Sequence, residues 1–540
     1  MIVAGWRSPF FYVILTVYLL AGVLFATLTP DWQAPDEPAH FNYVHFLSIQ
    51  SGFPELVSRC YNQAYLERLK SQRFPPELPL DTVCYEFHQP PLYYLLATPI
   101  FIVSGGSLLA LRLFSVILGA GVVGLAYFIA LTIFPGRMAI AYGTMAFVAF
   151  VPMHAAMLAS VNNDALAELI LAGLLLLLIR RLGVEDRAST RRDVTLGVLL
   201  GLGLITKTTI YIAVPLTAVT LGLAAVKAAR RRGGGEVDEM SPSRGVEFQQ
   251  TQRCPNRVNG SLLIKQTGLI FGLALVIALP WYIRNAVLYG NFDLLGLGRH
   301  NAVVVGQLRT ADYVAEAGWP TYLYNFVTVT FQSFWGQFGW MAVPMSQRVY
   351  LALTLLTLAA LGGLVGFWTA HLMGVDLSFG KDVSSSSALR TTHYAPSTKQ
   401  FQALLLMALT IGLMLLGYVW YNLEFVQFQG RYLFPALIPL GIFFSMGLSV
   451  AFSPRWAWLL AGSLALLAMG WLAVTPLRQG EIDKWALLLV GLAVVFAVGR
   501  AWLASRWPVP ASWLLTAVYA GLAGLTLLSP FWYIIPYLSP

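Results

Sequence analysis

Apolar runs of about 17 to 25 residues recur along the whole chain, and each is long enough to cross the hydrocarbon core of a bilayer. The sequence is 57% apolar and 11% charged, which is more apolar than soluble domains usually are. It therefore predicts an all-α integral membrane bundle of about 13 transmembrane helices. The runs lie near residues 9–29, 106–133, 138–158, 164–180, 194–210, 211–227, 263–283, 347–371, 401–420, 432–451, 455–475, 484–503 and 512–528.

Basic residues set the predicted orientation, because Lys and Arg of membrane proteins collect in cytoplasmic loops. For the same reason the net charge of +9 does not indicate a nucleic-acid partner. A cytoplasmic N-terminus puts the Arg-rich segments 180–192 and 227–235 inside, and thirteen spans then put the C-terminus outside. The apolar segment Pro91–Val103 has only 13 residues, so we expect a juxtamembrane or half-inserted helix in the first outer loop.

This topology predicts one transmembrane module over residues 1–540, with two large extracytoplasmic loops at 30–105 and 284–346. Two polar inserts at 228–262 and 372–400 have the composition of flexible cytoplasmic loops. Cys60 and Cys84 share the first outer loop, where oxidising conditions permit a disulfide, whereas Cys254 lies in a cytoplasmic insert. The compartment argument leaves the bond between Cys60 and Cys84 open.

The first outer loop begins with the stretch DWQAPDEPAHFNYVHF, which is unusually rich in ionisable groups for such an apolar chain. One interpretation is structural: Asp36 caps the helix that follows, and Glu37 interacts favourably with the helix dipole. A cap needs only one carboxylate, however. We therefore favour a functional site built from this set, which comprises Asp31, Asp36, Glu37, His40 and His45.

Two further outer segments could contribute to the same site. His88 precedes a Pro-Pro pair on a stiff stretch, where an imidazole could bind phosphate or metal, although the segment could also simply separate two helices. Asn162, Asn163 and Asp164 stand where a helix re-enters the membrane, and their residue types suit an N-cap. On the predicted topology Asp164 faces the same side as Asp36 and could add a second carboxylate.

Three basic residues lie on the predicted outer side, namely Lys207, Arg284 and Arg431. A charge in or beside a span is costly unless it has a partner or a function. Each could be an interfacial anchor whose charged end reaches water. Together they oppose the usual inward bias of basic residues, so we favour an anionic partner such as a lipid phosphate.

The stretch FQSFWGQFGW, residues 331–340, combines aromatic rings with amide groups just before a span. Aromatic belts at the membrane interface account for many such rings. The interleaved glutamines are less typical of a belt. Trp335 and Gln337 are therefore candidates for contact with a sugar ring.

The motifs together resemble those of the GT-C superfamily of polytopic glycosyltransferases, which use polyprenyl-phosphate-linked sugars. PDEPAHF looks like the acidic motif of that group's first outer loop, HQPPLYYLL like its His/Lys-Pro-Pro segment and LITKTT like its Thr-Lys element. The combination of PDEPAHFNYV, NNDALA, SFWGQFGW and QGRYLFPAL is similar to a bacterial membrane protein family, DUF2142. The resemblance covers most of the chain outside the two cytoplasmic inserts.

The resemblance implies roles for several residues. Asp36 would be the catalytic base, with Glu37 and His40 shaping its surroundings and Asp164 as a second acidic group. Lys207, Arg284 and Arg431 would contact the lipid phosphate. In related enzymes a Lys often precedes the Pro-Pro pair, whereas here Gln89 does, so the role of His88 and the use of a divalent metal stay open.

The resemblance also implies an activity: inverting transfer of a sugar from a polyprenyl phosphate to an acceptor hydroxyl at the outer face of a bacterial plasma membrane. The partners would be the lipid bilayer, the lipid-linked sugar and a glycan, lipid or protein acceptor. A transporter or flippase of a lipid-linked sugar is the alternative. It would need functional polar residues at mid-membrane, and apart from Arg112 the predicted spans contain almost none.

Overall fold

Helices make up nearly all of the regular structure in the computed structural model, which describes residues 8–183, 189–233, 260–373, 397–453, 456, 462, 484–503 and 511–539. The helices of the first half are α1 (Pro9–Leu28), α2 (Glu37–Ile49), α3 (Gln63–Ser71), α4 (Leu92–Val103), α5 (Leu108–Ile133), α6 (Met138–Phe150), α7 (Pro152–Leu158), α8 (Asp164–Gly183), α9 (Thr190–Leu204) and α10 (Ala213–Gly233). Short 3-10 turns lie at Ser58–Cys60, Tyr85–His88 and Thr208–Ile212.

The second half continues the same architecture. Its helices are α11 (Gly260–Tyr289), α12 (Leu297–Val303), α13 (Thr310–Trp335), α14 (Gln347–Leu372), α15 (Thr398–Glu424), α16 (Leu437–Ala451), α17 (Lys484–Leu503), α18 (Ala511–Ser529) and α19 (Ile535–Leu538). A 3-10 turn at Gly430–Ala436 leads into α16, and a π-helical turn at Pro530–Ile534 joins α18 to α19. Two short strands, β1 (Gln337–Phe338) and β2 (Val343–Pro344), pair antiparallel with Gln337 opposite Pro344.

Eight helical segments in the described residues are long and apolar enough to cross a membrane, or nine if the bent pair α6 and α7 forms one span. The predicted multi-pass helical architecture is confirmed to this extent. Helix α4 has 12 residues, in keeping with the prediction that Pro91–Val103 does not span. Most of the predicted span 455–475 and of both polar inserts lies outside the described residues, so the number 13 and the orientation stay predictions.

The break between α6 and α7, a bend of 65°, is stabilised by a buried histidine. Pro152 has no N–H, so it cannot donate the helical hydrogen bond to the carbonyl of Val148. His154 Nδ1 donates to that carbonyl at 2.7 Å, and its Nε2 lies 2.8 Å from Glu168 Oε2 on α8. Sequence reasoning did not single out His154 or Glu168, although both are buried polar groups.

Small residues allow the closest helix contacts. A Cβ at Gly363 of α14 would overlap the carbonyl oxygen of Gly447 on α16, and a Cβ at Gly447 would overlap Ala360. Such close backbone approach is typical of helix pairs in membranes, where packing rather than water exclusion drives association.

A buried ion pair holds the start of α2 against the end of α1. The Arg112 guanidinium donates to both carboxylate oxygens of Glu37, at 2.8 and 2.6 Å, and the side chains are only 3% and 0% exposed. Arg112 also donates to the backbone carbonyls of Ala26, Thr29 and Pro30. Glu37 accepts a further bond from the Val161 N–H, so one ion pair joins three segments around the start of α2.

Cys60 and Cys84 form a disulfide, which the sequence had left open. The bond ties the 3-10 turn Ser58–Cys60 to the start of the 3-10 turn Tyr85–His88, and the Cys84 N–H also donates to the Cys60 carbonyl at 3.0 Å. It therefore fixes the segment that supplies Tyr85.

Replacing both cysteines by Cys60→Ser and Cys84→Ser is expected to destabilise this loop by about 3 kcal/mol, because the unfolded loop regains chain entropy. Limited proteolysis and thermal unfolding of the purified protein measure the effect. Cys254→Ser is the matched control and should leave both unchanged. Equal protease resistance of the double variant and the control would show that the disulfide does not stabilise the loop.

Candidate active site at the start of α2

Asp36 precedes α2 in the left-handed region, with φ 65°, a conformation that costs free energy for a residue other than glycine. Its side chain makes no capping hydrogen bond, so the interpretation of Asp36 as a helix cap is wrong. Instead, Asp36 accepts from the Tyr85 hydroxyl at 2.8 Å and from Arg431 Nη2 at 2.7 Å. The backbone turns this carboxylate towards the 3-10 turn before α16.

Electrostatics keep the Asp36 carboxylate ionised. Burial alone would raise the pKa of Asp36, but the positive charge of Arg431 and the hydrogen bonds from Tyr85 and Arg431 outweigh burial and hold the pKa below its usual value. The Asp36 side chain is 25% exposed and that of Arg431 11%, so solvent reaches the pair from one side. Arg431 is held in turn by Gln429, whose Oε1 accepts from Nε at 2.7 Å.

A second ion pair joins Asp164, the first residue of α8, to Lys207, which lies between α9 and the 3-10 turn Thr208–Ile212. Lys207 Nζ lies 2.6 Å from Asp164 Oδ1, and both side chains are partly exposed. The Asp164 N–H donates to Asn162 Oδ1 at 2.9 Å, so the Asn162 side chain satisfies a backbone donor at the start of α8. The Asp164 side chain pairs with Lys207 instead.

The two ion pairs belong to one group. Asp164 lies within electrostatic range of Arg431 and His40, and His40 in turn lies within range of Glu86, Lys207, Asp36 and Asp164. These residues come from five separate parts of the chain. We call them the charged cluster, which comprises Asp36, Glu86, Asp164, Lys207 and Arg431 around His40.

The His40 imidazole is neutral and lies within this cluster. Burial lowers the pKa of His40, and the nearby Glu86 carboxylate does not reverse the effect. His40 Nδ1 and the Tyr94 hydroxyl share a hydrogen bond of 2.8 Å. The Tyr94 ring also stacks on Tyr43 with centroids 3.7 Å apart, which holds α4 against α2.

The segment from Tyr85 to Gln89 bridges the two ion pairs. Its first residue, Tyr85, donates to Asp36. Its last, Gln89, accepts through Oε1 from Asn163 Nδ2 at 3.3 Å, next to Asp164. The stiff Pro-Pro pair that follows and the disulfide that precedes it fix both ends of this bridge.

His88 lies in this segment but is suited to positioning rather than to binding an anion. Burial, together with the neighbouring His300, lowers the pKa of His88 to about 3, so the ring is neutral at physiological pH. Its Nδ1 donates to the Tyr85 carbonyl at 3.0 Å. A neutral imidazole with one nitrogen engaged is a weak partner for phosphate.

Two predicted sugar-binding residues lie elsewhere. Trp335 is only 2% exposed and packs in the core against Phe147 and Phe444, so it presents no free ring face to a sugar. Gln337 in β1 donates through Nε2 to the Met341 carbonyl at 2.7 Å, and its buried Oε1 has no partner among the described residues.

Two predicted charged residues also act apart from the cluster. Glu37 is committed to Arg112, as described above. The Arg284 guanidinium lies 4.7 Å from the centroid of the Trp281 ring and donates to the carbonyls of Phe53 and Pro54. Arg284 thus anchors the segment between α2 and α3 to α11, which explains its place beside a span without an anionic ligand.

Sequence reasoning missed three contributors to the site, Tyr85, Glu86 and Gln429. Tyr85 and Glu86 lie directly between Cys84 and His88, inside the stretch CYEFHQPP. The density of polar and ring-bearing residues before the Pro-Pro pair was the available signal. Gln429 gives no comparable signal, because its role depends on the position of Arg431.

The cluster does not fit a divalent metal. Within the described ranges no group of three or more His, Cys, Asp or Glu side chains could hold a metal ion. Asp36 and Asp164 already have cationic partners, which would repel a metal. No chemical step is therefore assigned to a metal.

An apolar cleft of about 600 Å³ opens between α2 and α4. It lies towards the end of α2 opposite to Asp36, about 16 Å along the helix axis at 1.5 Å per residue. The lining residues include Leu47, Phe53, Leu95, Pro99 and Ile102.

Fold and site together define a multi-pass membrane protein in which paired carboxylates and cations gather at the ends of apolar helices. The chain belongs to the DUF2142 family of predicted membrane proteins, whose family model matches residues 81–440. The matched region runs from before Tyr85 to beyond Arg431, and Asp36 precedes it. No curated protein matches the chain significantly.

Two solved structures resemble the chain. ArnT from Cupriavidus metallidurans in the apo state has a TM-score of 0.47 and 15% identity, over 98% of this chain and 78% of that one. The same protein bound to undecaprenyl phosphate has a TM-score of 0.44 and 15% identity, over 97% and 77% of the two chains. Likeness at this level does not indicate a shared function.

Proposed function

We propose that this protein is a GT-C type glycosyltransferase, which moves a hexose or pentose from a polyprenyl-phosphate carrier to an acceptor hydroxyl. The reaction would take place at the extracytoplasmic face of a bacterial plasma membrane. The observation that carries the proposal is the charged cluster, in which Asp36 pairs with Arg431 and Asp164 with Lys207. Both pairs are partly exposed, so a ligand can reach them.

The two cations suit a phosphate. Arg431 offers a planar fork of N–H donors and Lys207 a compact positive charge, the two residue types that most often bind phosphate oxygens. Each cation can exchange its carboxylate partner for a phosphate oxygen and remain paired with a negative charge. The lipid phosphate would thus bind between Arg431 and Lys207.

This exchange would activate Asp36. Once Arg431 turns to the phosphate, the effect that lowers the pKa of Asp36 weakens and the carboxylate becomes a stronger base. Asp36 then accepts the proton of the acceptor hydroxyl as the acceptor oxygen bonds to the anomeric carbon. The bond from that carbon to the phosphate oxygen breaks, and Arg431 and Lys207 stabilise the departing phosphate. A single displacement inverts the anomeric centre.

The apolar cleft supports a lipid-linked donor. Its walls carry aliphatic and aromatic side chains from α2 and α4, which suit a prenyl chain rather than a polar ligand. A long chain whose phosphate lies at Asp36 can reach it along α2. The acceptor can be a glycan, a lipid or a protein.

A transporter or flippase of a lipid-linked sugar is the alternative, and it predicts functional polar groups at mid-membrane. The buried pair of His154 and Glu168 is the obvious candidate. Glu168 lies only four residues from Asp164 on α8, about 6 Å along the axis, so the pair is near the end of the helix. The hydrogen bond from His154 to the Val148 carbonyl gives the pair a structural role.

The first test is binding of undecaprenyl phosphate to the purified full-length protein. Lys207→Gln and Arg431→Gln should each weaken binding about tenfold, since each removes one charge-assisted contact to phosphate. Arg59→Gln, at an exposed position between α2 and α3, is the matched control and should not change binding. Unchanged affinity in both cluster variants would refute the phosphate site.

A further inference from the structure

Glu86 is a member of the charged cluster with an unused acceptor. Its Oε2 is buried and has no hydrogen-bond partner among the described residues, and no Lys, Arg or His of those residues forms an ion pair with it. A buried carboxylate oxygen without a donor is costly. Neither fold nor ion pairing accounts for Glu86, which points to a donor supplied by a ligand.

The position of Glu86 places it at the centre of the site. It lies on the segment whose ends bind Asp36 through Tyr85 and Asn163 through Gln89. Of the charges acting on His40, that of Glu86 has the largest effect, ahead of Lys207 and Asp36. Glu86 therefore lies on the segment that connects the two ion pairs.

Three tyrosines are near enough to Glu86 to feel its charge. Tyr94, Tyr421 and Tyr432 all lie within its electrostatic range, and the Tyr421 and Tyr432 rings meet edge to face with centroids 5.9 Å apart. Flat rings next to an acceptor suit a ligand with apolar faces and hydrogen-bond donors at its rim. A sugar ring has this character, whereas a phosphate would be repelled by the carboxylate.

We propose that Glu86 accepts a hydrogen bond from a hydroxyl or amino group of the donor sugar, so that the site takes neutral or amino sugars and disfavours sugars that carry a carboxylate. This inference rests on the proposed function, because the phosphate between Arg431 and Lys207 holds the attached sugar next to Glu86. An acidic sugar would bring a second negative charge to a partly buried carboxylate, which is unfavourable. Glu86 thus selects the sugar, while Arg431 and Lys207 bind the phosphate.

The experiment measures binding of four lipids to the purified full-length protein. One is undecaprenyl phosphate, and the other three carry glucose, glucosamine or glucuronate on that same single phosphate. Wild type should bind the glucose or glucosamine lipid at least tenfold more tightly than the glucuronate lipid. Glu86→Gln, which keeps the shape and removes the charge, and Glu86→Ala should abolish this discrimination. Both should bind undecaprenyl phosphate at least as tightly as wild type, because each removes a carboxylate that repels phosphate. Glu77→Gln, at an exposed position of the same loop, is the matched control.

The outcomes separate the two proposals. If wild type binds undecaprenyl phosphate but does not distinguish the three sugars, or if the Glu86 variants keep the wild-type preference, Glu86 does not recognise the sugar and the phosphate site stands. If the Glu86 variants lose affinity equally for all four lipids, Glu86 has only a structural role. If wild type does not bind undecaprenyl phosphate, the proposed function itself fails and the sugar role fails with it.

Discussion

Asp36→Asn is expected to lower kcat for sugar transfer by about 10³-fold while the protein still binds polyprenyl phosphate. An amide cannot accept the proton of the acceptor hydroxyl, and loss of a general base typically costs a factor of this order. Asn keeps the size of Asp and tolerates the left-handed conformation at φ 65°. Sugar release from radiolabelled polyprenyl-phosphate sugars by the purified protein gives kcat, and lipid binding is measured on the same samples.

The control for this variant is Asp81→Asn, at an exposed position between α3 and α4, which should keep wild-type turnover. Turnover by Asp36→Asn equal to that of wild type would exclude Asp36 as the base. If wild type bound the lipids but turned over none of the panel, the transporter would become the better explanation. Binding and turnover thus separate the phosphate site from the chemistry.

The pH dependence of the same reaction reports on the Asp36–Arg431 pair. Because the folded pKa of Asp36 lies below its usual value, the carboxylate stays ionised as the pH falls through the range where aspartates are normally protonated. The acid limb of kcat/KM should therefore lie below that range. The stability that the ion pair contributes is likewise present above the usual aspartate pKa and is lost as the pH falls through the lowered value.

Five residues of the charged cluster could be predicted from the sequence: Asp36, His40, Asp164, Lys207 and Arg431. The signal was physical, because ionisable groups beside apolar spans are costly and need partners. Glu86 was missed. The pairing could not be predicted either, since Asp36 and Arg431 are separated by 395 residues and meet only through the packing of the bundle.

The predicted residues that lie elsewhere show why local composition is a limited guide. Trp335 has the residue type of a sugar platform, yet burial turns its ring into a core contact. Arg284 has the residue type of a phosphate ligand, yet a ring and two backbone carbonyls occupy its guanidinium. Residue type shows which partners a side chain can have, and only the fold shows which of them it meets.

Glu37→Gln, next to Asp36 in sequence, is expected to destabilise the protein by about 3–5 kcal/mol. The variant leaves the Arg112 guanidinium buried without a counter-charge, and breaking a buried pair from one side typically costs this much. Combining it with Arg112→Met removes the unpaired charge and should recover part of the loss. Thermal unfolding of the purified protein measures each variant.

Glu67→Gln serves as the control, because its ion pair with Lys70 is solvent-exposed and should contribute no more than about 1 kcal/mol. The comparison with Asp36 is the decisive one. Asp36→Asn should lower kcat about 10³-fold and lower the unfolding temperature less than Glu37→Gln does, because solvent reaches Arg431 but not Arg112. An unfolding temperature of Glu37→Gln equal to that of wild type would show that the pair with Arg112 does not hold α2 in place. The positioning of Asp36 would then need another explanation.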